Sequence, residues 1–218
     1  MNPHSYVYTS SRGRRLEGRI NAKSIYVLPG GKLQTLCDIA YDKLKYVDGV
    51  KIAYFIVGIP DICCLEKDKK RGYEESILQL DINHFEKFKA TVLSVEAIMN
   101  TINCKVVFAT ITTMSFSEWN NARLSQGKTS ILKYSEKYPI MQNSLNTVLH
   151  SINNFITELN TRNQVLTPFL HSPVHKCRKG NIRYIYSKLV DGLHPGEDLV
   201  EMWVARMNDI IVQNESNL

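Results

Sequence analysis

One segment limits the fold more than any other: Lys51-Ile-Ala-Tyr-Phe-Ile-Val-Gly-Ile59. Its apolar residues do not alternate with polar ones, so a strand built from them must be covered on both faces. A parallel sheet between two layers of helices meets that demand.

The rest of the chain has the matching alternation. SYVYTS (5–10) and SIYVLPGG (24–31) read as strands that end in turn signals. Residues 32–46 read as a helix with Leu33, Leu36, Cys37, Ala40 and Leu44 on one face. A charged loop, EKDKKRGYEE, follows the central strand. Residues 81–102 place Phe85, Phe88, Val92, Val95, Met99 and Ile102 at helical spacing, and residues 140–161 do the same from Met141 to Leu159. KVVFATITTM (105–114) and QVLTPFL (164–170) supply two further strands, and a final helix is expected to start at Pro195. The expectation is one α/β domain over residues 1–218, a three-layer α/β/α sandwich around a mostly parallel five-stranded sheet.

Composition narrows the function classes. No apolar run reaches 18 residues and the N-terminus lacks the apolar middle of a secretory leader, so a soluble protein without membrane contact is expected. Five cysteines without framework spacing suit reduced thiols, hence an intracellular (cytoplasmic or nuclear) compartment. The net charge of +6 is unevenly spread. Arg12, Arg14, Arg15, Arg19 and Lys23 form one basic cluster, Lys67, Lys69, Lys70 and Arg71 a second, and Lys176, Arg178, Lys179 and Arg183 a third. They are either solvated loops or a surface for nucleic acid. Tyr184 and Tyr186 beside Arg183 and Lys188 suit base stacking, or more simply a half-exposed strand or hairpin. There is no phosphate-binding glycine loop and no dinucleotide fingerprint, so no cofactor is indicated. His171, His175 and Cys177, with Cys63-Cys64, lack the paired spacing of a zinc site, so no metal is expected.

Working residues in such sheets lie beyond the carboxyl ends of strands. Those positions hold Thr9-Ser10-Ser11, Gly30-Gly31, Gly58-Ile59-Pro60-Asp61 and the 112–120 loop, and Asp191-Gly-Leu-His194 precedes the final helix. In kind and order these blocks resemble the SGNH (GDSL-type) hydrolases, over residues 5 to about 212. That family carries Gly-Asp-Ser after the first strand, a glycine after the second, Gly-x-Asn-Asp after the third and Asp-x-x-His before the last helix. The Arg-rich turn after the serine is closest in style to the SGNH-like domains encoded in mobile elements.

The resemblance implies a flavodoxin-like sheet order and a serine esterase or acyl hydrolase acting on a small ester. Ser11 would be the nucleophile, His194 its base and Asp191 the residue that orients the imidazole. Ser10, one position earlier, competes with Ser11. Backbone N–H groups of Ser11 and of Gly30 or Gly31 would hold the oxyanion. Pro60 stands where the family has its Asn donor, and it offers neither a side-chain donor nor an N–H. Arg12, Arg14 and Arg15 would line the mouth and favour an anionic ligand. The alternative is a weak or inactive binding module on the same fold, contacting nucleic acid or a protein partner. In that case Ser11 would cap a helix, Asp191 would be a turn residue and His194 a half-buried polar residue.

Overall fold

The computed structural model describes residues 3–68, 70, 72–78, 84–178 and 181–218. Lys69, Arg71 and Lys179 of the basic clusters lie outside them, as do residues 81–83 of the expected second helix.

Four strands form the central sheet: β1 (His4–Thr9), β2 (Ser24–Val27), β3 (Lys51–Ile56) and β6 (Cys104–Phe108). They run parallel in the order β2-β1-β3-β6, so the chain's first strand is internal. Strand side chains alternate between two cores, as the pleat requires. Tyr6, Tyr8, Ala53, Phe55, Val106 and Phe108 face one core. Helices α1 (Leu33–Leu44), α3 (His84–Asn100) and α5 (Tyr138–Arg162) close it through Leu36, Val92, Val95, Leu145 and Ile152. Val7, Ile52, Tyr54 and Val107 face the other core, which α6 (Glu197–Ser216) closes through Leu199, Trp203, Met207 and Ile211. No helix among the described residues is long and apolar enough to cross a membrane.

The expected fifth strand is absent from the sheet. Residues 164–170 run beside β6 without forming a ladder; Thr110 N–H donates to Pro168 O at 3.0 Å, and Pro168 itself has no N–H to return. The edge of β6 is satisfied from α5 instead. Asn160 accepts from Phe108 N–H and donates to Phe108 O (3.2 and 2.8 Å). Asn153 does the same for Ile111 just beyond the strand (2.6 and 2.9 Å).

Two stretches expected as loops are ordered elements. After the single turn α2 (Ile59–Ile62), the stretch expected as a charged loop folds as an antiparallel hairpin of β4 (Cys63–Asp68) and β5 (Tyr73–Leu78). A helix, α4 (Phe116–Ser125), occupies what was expected as a loop. A second hairpin, β7 (His175–Arg178) and β8 (Asn181–Tyr184), holds the basic and tyrosine-rich stretch in the simpler of its two expected forms. Helix α6 begins at Glu197, two residues after Pro195. Residues 189–196 are drawn into a closed loop by Val190 N–H to His194 O and Gly196 N–H to Lys188 O, both 2.8 Å. That loop delays the helix.

Candidate functional site

Strand β1 stops at Thr9, and the chain turns into a 3-10 helix over Ser11–Leu16. Ser10 occupies the cap position, is buried, and makes no capping bond with its side chain. Ser11 is therefore the first residue of the turn. Its N–H has no acceptor within the turn, and its hydroxyl points towards the 189–196 loop.

Asp191 and His194 come from that loop. Asp191 Oδ1 accepts from the N–H groups of Leu193 (3.1 Å) and His194 (2.8 Å), which fixes the bend. Its other oxygen, Oδ2, lies 2.8 Å from His194 Nδ1. An ionised carboxylate only accepts, so Nδ1 carries the ring proton and Nε2 is left as an acceptor. Nε2 lies 3.1 Å from Ser11 Oγ. Burial alone would raise the Asp191 carboxyl; the bonds from the His194 ring and from the two N–H groups outweigh it and hold it at about 2. Asp191 is thus both a turn residue and the partner of the ring, and the imidazole reaches Ser11 rather than Ser10.

The loop is held from behind by contacts that no sequence pattern marks. Ser115 N–H donates to Gly192 O at 2.7 Å. Gly192 has φ +78°, and a Cβ there would lie 2.6 Å from Trp119 N, so the position needs glycine. Trp119 packs its ring against His194, edge on, at 5.6 Å between centroids. Both Ser115 and Trp119 come from the 112–120 stretch, whose place at a strand end was the only signal for them.

The second and third blocks meet at the same end of the sheet. Leu28 N–H bonds Thr9 O, and Gly31 N–H closes onto Leu28 O, both at 2.9 Å. With Gly30 at φ +69° this is a type II turn, Pro29-Gly30 at its centre. The turn uses the Gly31 N–H, and neither glycine is among the residues that line the cavity around Ser11. Pro60 lies in the first turn of α2. Asp61 turns away to the start of α1, where its carboxylate accepts from Leu33 N–H at 3.1 Å. Burial raises its carboxyl to about 6, against the lowering effect of that bond.

Ser11, Asp191 and His194 share a cavity of about 280 Å³ with Arg12, Arg14, Arg15, Val190 and Pro195. The three arginines do different things. Arg14 is exposed and pairs with no carboxylate among the described residues. Arg15 lies 3.5 Å from Glu197. Arg12 departs from its expected role in anion binding, because its buried guanidinium bonds three backbone carbonyls. Away from this site, the His171 and His175 rings stack at 4.8 Å, and the Cys177 side chain lies outside the described residues.

No family model matches the chain, and no curated protein does. Solved structures do match in fold. A protein provisionally described as an acylhydrolase, from Bacteroides fragilis, superposes with a TM-score of 0.61 at 10% identity, over 98% of this chain and 86% of its own. A GDSL-like lipase from Bacteroides thetaiotaomicron gives 0.60 at 9% identity, over 96% and 88%. A carbohydrate esterase family 3 protein from Talaromyces cellulolyticus gives 0.56 at 10% identity, over 100% of both chains. At such identities the likeness is one of fold, and it agrees with the α/β/α arrangement around a parallel sheet.

Proposed function

We propose that the chain is a serine hydrolase that cleaves small esters through Ser11, His194 and Asp191. One observation carries the reading: the His194 ring bridges Ser11 Oγ at 3.1 Å and Asp191 Oδ2 at 2.8 Å, with Nε2 free to accept a proton. The Ser11 hydroxyl proton passes to Nε2 as Oγ bonds the ester carbonyl carbon. His194 then returns the proton to the departing alcohol, and Asp191 stabilises the imidazolium between the two steps. Water attacks the acyl-serine by the same route, with His194 as base, and releases the acid. The N–H of Ser11 is the oxyanion donor at the cavity, and a second, from Gly30, rests on the resemblance alone. With Pro60 in place of a third, turnover should be roughly 100- to 1000-fold below that of a complete site. The fold neighbours described as a GDSL-like lipase and a carbohydrate esterase add support of a general kind.

Pro60 also favours a second reading, a binding module on the hydrolase fold in which the pocket holds an anion without turning it over. Hydrolysis of a chromogenic acetate ester by the parent and by Ser11→Ala separates the two. Turnover that disappears in Ser11→Ala supports the hydrolase. A parent no faster than Ser11→Ala removes it and leaves the binding module.

A further inference from the structure

Arg12 follows the proposed nucleophile directly, yet only 7% of it is exposed. A buried cation is costly unless its donors are satisfied, and here they are met by backbone alone. Nε donates to Leu193 O at 3.0 Å, Nη1 to Thr112 O at 2.6 Å and Nη2 to Thr113 O at 2.7 Å. Burial draws the guanidinium down to about 10, with Cys63 and Asp191 opposing, so it remains charged at neutral pH.

These bonds join three segments that are distant in sequence. Leu193 precedes His194, Thr112 and Thr113 lie beyond β6, and Arg12 sits in the turn that carries Ser11. The next carbonyl back, Gly192 O, is held by Ser115 N–H from the same 112–115 stretch. The turn itself admits no slack. Gly13 is buried against Thr9, and a Cβ there would lie 2.2 Å from Thr9 Oγ1. The planar fork of arginine bonds several acceptors at fixed angles, which an ammonium cannot do.

We infer that Arg12 is a positioning residue that locks the Asp191–His194 loop to the Ser11 turn and so holds His194 Nε2 on Ser11 Oγ. This rests on the hydrolase reading above. It adds that the registration of base and nucleophile is set by the residue next to the serine, and not by the Asp-x-x-His segment alone. A shift of about 1 Å between reacting groups costs on the order of 100-fold in rate, so the tether acts on kcat while KM stays near that of the parent.

The test pairs labelling by a serine-directed fluorophosphonate with hydrogen exchange, on the parent, Arg12→Met, Arg12→Lys and Ser11→Ala. Arg12→Met should label about 100-fold more slowly than the parent. The Leu193 and His194 amides should exchange faster in it, with those of β3 unchanged. Labelling of Arg12→Met at the parental rate overturns the tether and leaves the hydrolase reading intact. A parent that labels no faster than Ser11→Ala defeats the hydrolase reading. Exchange then decides the tether alone: faster exchange at 193–194 supports it and parental exchange overturns it. If Arg12→Met fails to fold, Arg12→Lys takes its place, since one ammonium cannot serve all three carbonyls. Parental labelling and parental exchange in Arg12→Lys would overturn the tether equally.

Discussion

Two aspartates near the site are pushed in opposite directions. Asp191 is held at about 2 by three bonds to its carboxylate, so its contribution to stability is present above its ordinary 3.8 and fades as pH falls towards 2. Asp61 is raised to about 6 because burial outweighs its bond to Leu33 N–H and the nearby charge of Lys32. Between about 4 and 6 the folded state therefore binds more protons than the unfolded chain, and Asp61 lowers stability as pH rises through that window. Asn in its place would still accept from Leu33 N–H without carrying a charge. The stability gain of Asp61→Asn over the parent should be larger at pH 7 than at pH 4, by about 1–3 kcal/mol. Urea unfolding at the two pH values measures this, and an equal gain at both would show that the Asp61 carboxyl is not raised. Asp61 is legible in the sequence as part of the third block. That it caps the helix after the second block was not legible, because the contact spans 28 positions.

Elements were legible where an apolar period marked them and hidden where buried polar groups do the joining. Strands β1, β2, β3 and β6 and helices α1, α3, α5 and α6 all follow from their apolar patterns. Helix α4 buries Phe116, Asn120 and Arg123, which is no apolar stripe. The β4–β5 hairpin is built on charge: fully buried Glu75 accepts from Lys133 N–H and Tyr134 N–H and from the Tyr138 hydroxyl, while Glu74 pairs with Arg123. Four asparagines form a common device. Asn120, Asn153, Asn160 and Asn214 are each buried on a helix, and each bonds both the N–H and the C=O of one residue, Ser76, Ile111, Phe108 and Leu166 respectively. Asn153 and Asn160 stand seven positions apart on α5, on one face, and occupy the edge where the 164–170 run was expected to add a strand. Asn160→Leu leaves the Phe108 N–H and C=O buried without partners, so it should cost about 2–4 kcal/mol. Thermal unfolding measures that cost, and a change within about 0.5 kcal/mol, the range of ordinary surface substitutions, would mean that water or another group serves the edge instead.

Over the whole molecule, the site is made from the two ends of the chain. Ser11 and His194 are 183 positions apart. They meet because β1 is internal to the sheet and the 189–196 loop runs in front of it before α6 returns across the other face. That much is foreseeable from strand–helix alternation and from the serine and Asp-x-x-His blocks at its two ends. What faces the pocket is set by tertiary pairing and is not foreseeable. Arg12 turns inward to carbonyls, Arg15 approaches Glu197, and Arg19 binds Glu197 and Glu201 on α6. Of the arginines on the cavity wall, Arg12 is occupied by backbone carbonyls and Arg15 approaches Glu197, so Arg14 is the exposed one without a carboxylate partner among the described residues. The surplus of six positive charges reinforces its field at the mouth. An ester that carries its own carboxylate should thus bind better than a neutral ester of the same size. Arg14→Glu should raise KM roughly 30-fold for the anionic ester, from about 1 kcal/mol of surface attraction lost and a similar repulsion gained. It should leave the neutral ester almost unchanged. Salt near 1 M shortens the screening length to about 3 Å, and the preference should then collapse for the parent as well. Equal KM changes for the two esters, or a preference that survives high salt, would place the selectivity in the shape of the cavity rather than in its charge.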